Sequence, residues 1–158
     1  MSALPLFQWC ENSGLIVAMR QSLWLFPVIE SVHVMGLTLV GGAILLLDLR
    51  LLGFGLRRQT TARVAQDAER WLLVSLAVML PTGFLLFMAS AVKCYYLPAF
   101  WTKMVCLLLA LIFTFSIRRR VALSADTSGH PLRSRLVALV SISLWTTVAV
   151  AGRLVGFP

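Results

Sequence analysis

Four long stretches of the chain are continuous apolar runs separated by short polar segments, with none of the strict alternation that marks a half-buried strand. A membrane-crossing helix needs roughly 20 predominantly apolar residues. Four runs meet that length, at about 24–52, 71–92, 98–117 and 136–157. Pro81 falls inside the second run, where a kink is expected and where neighbouring helices in a membrane accommodate it. The opening segment, about 3–21, is too polar to cross. With Pro5, Trp9, Glu11, Asn12 and Ser13 it predicts one or two short helices at the membrane surface. The pattern thus predicts an all-α fold: an integral membrane four-transmembrane-helix bundle with a short N-terminal interfacial helical segment, one domain over 1–158.

Composition removes the soluble alternatives. Of the 158 residues, 59% are hydrophobic and 13% charged, with a mean hydropathy of +0.90. Ordinary soluble domains carry about 45–50% apolar and about 25% charged residues. A chain this short leaves too much surface exposed to hide the excess, which excludes disorder, a collagen-like rod and a disulfide scaffold, and disfavours a water-soluble enzyme. The net charge of +8 would raise nucleic acid as a partner of a soluble protein. Here the basic residues lie between the apolar runs, so they read as topology signals, and the expected surroundings are a lipid bilayer with no nucleic acid.

Four crossings bring the first and third loops to one face. Those loops carry Arg57, Arg58, Arg63, Arg70, Arg118, Arg119, Arg120, Arg133 and Arg135, whereas the other face has Arg20, Lys93, Lys103 and Arg153. Nine against four puts the arginine-rich loops in the cytoplasm and both termini in the periplasm of a bacterial inner membrane. The first charge is Glu11, and no basic opening precedes an apolar run and cleavage site, so no removable signal peptide is expected. The turn-rich stretch 124–131 holds His130, expected as a solvated loop residue.

At 100° per residue each run shows one face of small or polar residues, as close helix packing in lipid requires. The faces are Glu30, His33, Leu37, Gly41, Ile44 and Asp48; Ser75, Met79, Thr82, Gly83 and Ser90; Lys103, Cys106, Ala110 and Thr114; and Ser143, Thr146, Val150 and Arg153. Glu30, His33, Lys103 and Arg153 all fall toward the outer ends of their helices, where they form the candidate cofactor-binding site. Ionisable groups inside a membrane mark functional sites by default. A bland reading stands beside that one. Lys103 and Arg153 snorkel to the headgroups, Glu30 bridges to either, and His33 is a hydrogen-bonded structural residue. Asp48, near the cytoplasmic end, is expected to pair with Arg50, Arg70 or Arg118.

An intramembrane histidine near cations suits haem b, with a neutral imidazole nitrogen on the iron and lysine or arginine near the propionates. His33 is then the iron ligand, Lys103 and Arg153 lie near the propionates, and Glu30 handles protons. Met35, Met79, Met88 and Lys103 are the candidates for a sixth ligand, unless the iron is five-coordinate. Copper or zinc fits less well, because Glu30 and His33 have no third ligand in view. The three cysteines form no C-x-x-C pair, which argues against thiol–quinone chemistry, although Cys10 and Cys94 share the outer side and a bridge between them is open. Gly53 and Gly55 follow a helix rather than a strand and make no phosphate loop.

The run Pro27-Val-Ile-Glu30-Ser-Val-His33-Val-Met-Gly36-Leu-Thr-Leu-Val-Gly-Gly42, closing in Leu47-Asp48-Leu49-Arg50-Leu51-Leu52-Gly53, is the most distinctive part of the chain. With Thr82-Gly83, Pro98-Ala-Phe-Trp-Thr-Lys103-Met104 and Ala151-Gly152-Arg153, it resembles a group of uncharacterised bacterial four-helix inner-membrane proteins, a domain of unknown function. That group is distantly similar to the haem-binding membrane protoporphyrinogen oxidases and to the membrane domain of copper-resistance proteins. In the oxidases a first-helix histidine and a third-helix lysine are functional, which implies His33 and Lys103 here. Relatives often place a second histidine at the end of the third helix, where this chain has Phe115-Ser116-Ile117.

The leading expectation is a haem b redox or electron-transfer protein with a periplasmic or membrane redox partner. The rival from another class is a non-catalytic accessory subunit whose N-terminal segment docks a partner. A small-solute or metal-ion permease is the third reading, disfavoured because the four spans show no matched half-helix breaks.

Overall fold

The apolar runs fold into helices that mostly outreach the runs themselves. The computed structural model describes residues 4–54, 59–125 and 131–156. Two short helices, α1 (Leu4–Glu11) and α2 (Gly14–Gln21), precede the first long one, α3 (Leu25–Leu52). Then come α4 (Thr61–Ala89), the short α5 (Ala91–Tyr96) and α6 (Pro98–Phe113). A π-helical stretch, Thr114–Arg118, carries α6 without a break into α7 (Arg119–Ser124), and α8 (Pro131–Gly156) ends the chain. Four of these assemblies, at Leu25–Leu52, Thr61–Ala89, Pro98–Ser124 and Pro131–Gly156, are long and apolar enough to cross a membrane. Arg57, Arg58, Gly55 and His130 lie outside the described residues.

The second helix starts at Thr61 and the fourth at Pro131, where hydropathy alone places Trp71 and Leu136. Both early segments are amphipathic rather than apolar. In α4, Val64, Ala65 and Ala68 are buried while Arg63, Gln66, Asp67 and Arg70 are exposed, and the Thr60 hydroxyl caps the Arg63 N–H at 3.4 Å. In α8, Ser134, Val137 and Ala138 are buried beside exposed Arg133 and Arg135. At its other end α4 stops at Ala89, short of Val92, with the Ser90 N–H closing on the Phe87 carbonyl at 3.1 Å. The third span runs past Ile117 to Ser124. α4 runs through Pro81 as one helix. Gly53 ends α3 in the left-handed conformation (φ +94°), which lets the Phe54 N–H reach the Leu49 carbonyl at 2.9 Å.

α3 packs on α4 and on α8, α8 packs on α6, and α7 closes the ring against α4. Along the fourth seam, between α4 and α6, the helices lie less close than elsewhere, and α7 against α4 gives its tightest backbone approach. Val40, Ile44, Leu72, Leu76, Met79, Ala110, Trp145 and Val148 form the central core. A second cluster, with Leu47, Leu51, Val64, Ala65, Ala68, Ala122 and Ala138, fills the arginine-rich end. At the opposite end Ile16 and Met19 of α2 sink against Ala89 and anchor that helix to the bundle.

The expected faces hold in α4 and α6 and in the lower part of α3: Ser75, Met79, Ala110, Thr114, Ile44 and Asp48 are buried. The face assigned to the fourth helix is corrected. Ser143, Thr146, Val150 and Arg153 are exposed, and α8 instead buries Ser134, Ala138, Ser141, Trp145, Val148 and Ala151. Glu30 is likewise exposed rather than turned inward.

Candidate functional site

The open end of the α4–α6 seam holds a cavity of about 490 Å³. Its walls are apolar: Met79, Leu80, Phe84 and Phe87 from α4, Phe100, Trp101, Met104 and Leu107 from α6, and Phe7 from α1. Phe87 and Phe100 face each other across the seam with ring centroids 5.3 Å apart and planes 13° apart, a stacked pair. Two ionisable side chains line this space, His33 from α3 and Lys103 from α6. A concave apolar site with few polar groups is the usual form of a cofactor pocket.

A hydrogen bond joins His33 to α4: Nδ1 lies 3.0 Å from Thr82 Oγ1. The Thr82 hydroxyl has one proton, and the carbonyls of Val78 at 2.8 Å and Met79 at 3.3 Å are within its reach. When that proton is on a carbonyl, Oγ1 accepts from the imidazole, an arrangement in which Nδ1 carries the hydrogen and Nε2 keeps its lone pair. The Met79 carbonyl is a second hydrogen-bond partner for the ring. The ring lies over Gly83, where a Cβ would stand 3.0 Å from Cε1. Lys103 is half-buried and its stem runs along Gly152, with Cε 3.5 Å from where a Cβ would be.

Of the four residues proposed together from sequence, the structure brings His33 and Lys103 to one cavity. Glu30 and Arg153 are exposed on their helices and do not line it. Both sit near helix ends, where a long side chain reaches the aqueous boundary without turning inward. Of the sulfurs weighed as a sixth ligand, Met79 lines the cavity and Met35 and Met88 do not; Met104 joins it. The aromatic walls escaped the sequence reading, since phenylalanine in an apolar run looks like any other lipid-facing residue. The spacing of Phe84 and Phe87 and the pair Phe100–Trp101 were the available signal.

Other candidate chemistry resolves differently. Asp48 pairs with Arg118, whose Nε donates to Oδ1 at 2.7 Å and whose second nitrogen donates to the Ile44 carbonyl at 2.8 Å, all in the protein interior. Asp48 Oδ2 and Ser141 Oγ are buried near each other, without a well-formed hydrogen bond. Cys10, Cys94 and Cys106 are free thiols. Burial pushes the Cys94 thiol up, and the nearby Lys103 and Lys93 charges partly oppose that. Among the described residues no group of three His, Cys, Asp or Glu side chains converges as a metal site.

A family model described as "Family of unknown function (DUF6644)" matches residues 6–158. The chain belongs to that family. No curated protein and no solved structure matches it. The DUF6644 match takes in all four long helices and the α1–α2 segment from Leu6 onward, so the cavity and its covering segment both fall within the family's extent.

Proposed function

We propose that this DUF6644 protein binds haem b in the α4–α6 cavity, where His33 would hold the iron, and serves in membrane electron transfer. The observation that carries the reading is the Nδ1–Thr82 bond. A metal-ligating histidine almost always gives its other ring N–H to a fixed acceptor, which orients the ring and raises the basicity of the ligating nitrogen. With Nδ1 as the donor, Thr82 is placed to do this for His33. Phe84, Phe87, Phe100 and Trp101 give an apolar aromatic lining suited to a lipophilic ring system, and Lys103 supplies a cation for a carboxylate at the cavity edge. Met79 and Met104 are the sulfurs on hand for a sixth position. The bound haem would supply a one-electron couple. The chain's own part is to fix the imidazole, neutralise a propionate and exclude water with its aromatic wall.

Purification in mild detergent, with absorption spectra before and after dithionite and iron analysis on the same sample, tests the reading. The expected result is a Soret band that shifts and sharpens on reduction, with near-stoichiometric iron. His33→Ala should abolish the band while the bundle stays folded. A flat spectrum after haem supplementation would sink the proposal and favour the accessory-subunit reading.

A further inference from the structure

The cavity wall contains one short element that lies against α5, α4 and α2 without burying any residue completely. α1 buries none of its own residues, whereas α2, two residues further on, buries Ile16 and Met19. What holds α1 down is a short set of contacts. Phe7 packs edge-on against Phe87 (5.7 Å) and Tyr95 (5.1 Å), and it is itself a lining residue of the cavity. Glu11, the last residue of α1, uses both carboxylate oxygens. Oε1 accepts from Arg20 of α2 at 2.8 Å, and Oε2 accepts the Val92 N–H in the first turn of α5 at 3.0 Å. Asn12 and Ser13 form the joint with α2.

We infer that α1 is a cover over the His33–Lys103 cavity, latched by Glu11, and that the lipophilic ligand enters where α1 lifts. The inference rests on the cavity being a binding site. An element with little buried apolar surface opens locally at low free-energy cost, while its neighbours stay folded. Lifting α1 removes Phe7 from the aromatic wall and exposes the end of the α4–α6 seam, along which the long helices lie less close than elsewhere. Because α2 remains anchored by Ile16 and Met19, the motion is a hinge at Asn12–Ser13 rather than loss of the whole segment. Glu11 is suited to a latch, since one carboxylate ties α1 to both α2 and α5, and losing it frees both contacts together.

Cys94 provides a readout that needs no ligand. It is buried in α5, the element against which α1 lies. In a protein retaining Cys94 alone (Cys10→Ser, Cys106→Ser), maleimide labelling reports opening of the cover. Glu11→Ala should raise the labelling rate about tenfold, as expected for losing charge-assisted hydrogen bonds, and should speed haem uptake and release in step. Arg20→Ala, which leaves the Val92 contact in place, should give a smaller rise; it also serves as the test variant if Glu11→Ala does not fold. A matching protein with Cys106 alone reports the bundle interior. Faster labelling at Cys94 with Cys106 unchanged supports the cover. A rise at both cysteines means general loosening and overturns it, as does an unchanged Cys94 rate in the folded variant. Faster Cys94 labelling with no haem uptake in any variant keeps the cover and removes the haem reading.

Discussion

At His33 the reactivity of one ring nitrogen is set by what the other touches. Thr82→Val keeps the side-chain shape and removes the hydroxyl, so Nδ1 loses its partner. Haem affinity should fall about 10–100-fold, as for other partners of metal-bound histidines, while thermal unfolding changes little. Gly83→Ala adds a Cβ 3.0 Å from the imidazole Cε1 and must push the ring aside, whereas Gly152→Ala meets the Lys103 stem at an ordinary 3.5 Å. The first should weaken binding in a haem titration and the second should not. His33 and Lys103 were legible in the sequence because an ionisable side chain stands out in an apolar run. Glu30 and Arg153 stood out equally, and nothing in a helical wheel separates a charge that turns inward from one a turn away from water. Thr82 was legible as a face residue but not as the partner of His33, since the bond joins positions 49 residues apart. Cys94, outside the spans, carries a pH signature. With its thiol pushed up by burial, labelling at neutral pH should be slower than for a free thiol, and the rate should keep climbing above about pH 8.5, the ordinary thiol range.

At the level of elements, the spans were visible because length and hydropathy identify them. Their ends were not, because amphipathic turns such as 61–70 carry as many charges as a loop. The facing of α8 was the clearest failure. That helix is apolar on most sides, so small polar residues such as Ser143 and Thr146 gave a false direction. Trp145, whose indole N–H donates to Thr114 at 3.1 Å, and Ser141 show the true one. The Asp48–Arg118 pair ties α3 to the π-helical stretch of the third span. A π turn displaces the side chains that follow it relative to a regular helix, and here Arg118, which sequence counted as a loop charge, lies inside the bundle. Asp48→Ala leaves the guanidinium buried and uncompensated and should cost about 3–5 kcal/mol of stability. Replacing both partners by apolar residues of similar volume should recover most of that loss, as read by thermal unfolding in detergent.

For the whole molecule, the two ends differ. The arginine-rich end is clamped by Asp48–Arg118 and by Arg119–Glu69 at 3.0 Å, while the other end is held by α2 and by the contacts of α1. The clamp gives a fixed base and leaves the His33 end free to adjust. We propose, from loop arginine content, that this base faces the cytoplasm. Single cysteines introduced at Gln66 and at Leu6 should therefore label from opposite sides of the intact membrane.

The same clamp constrains how the protein is made. Asp48 and Arg118 are 70 residues apart in the chain. At a synthesis rate of about 5–20 residues per second, the first helix waits roughly 4–14 s for its partner. Throughout that interval the Asp48 carboxyl, in the last turns of the first helix, lacks the Arg118 guanidinium it meets in the finished bundle. That carboxyl group is therefore expected to stay at the membrane boundary, or beside the insertion machinery, until the third helix arrives. The order of the genetic message, and not only the finished packing, decides when this bundle becomes stable in lipid.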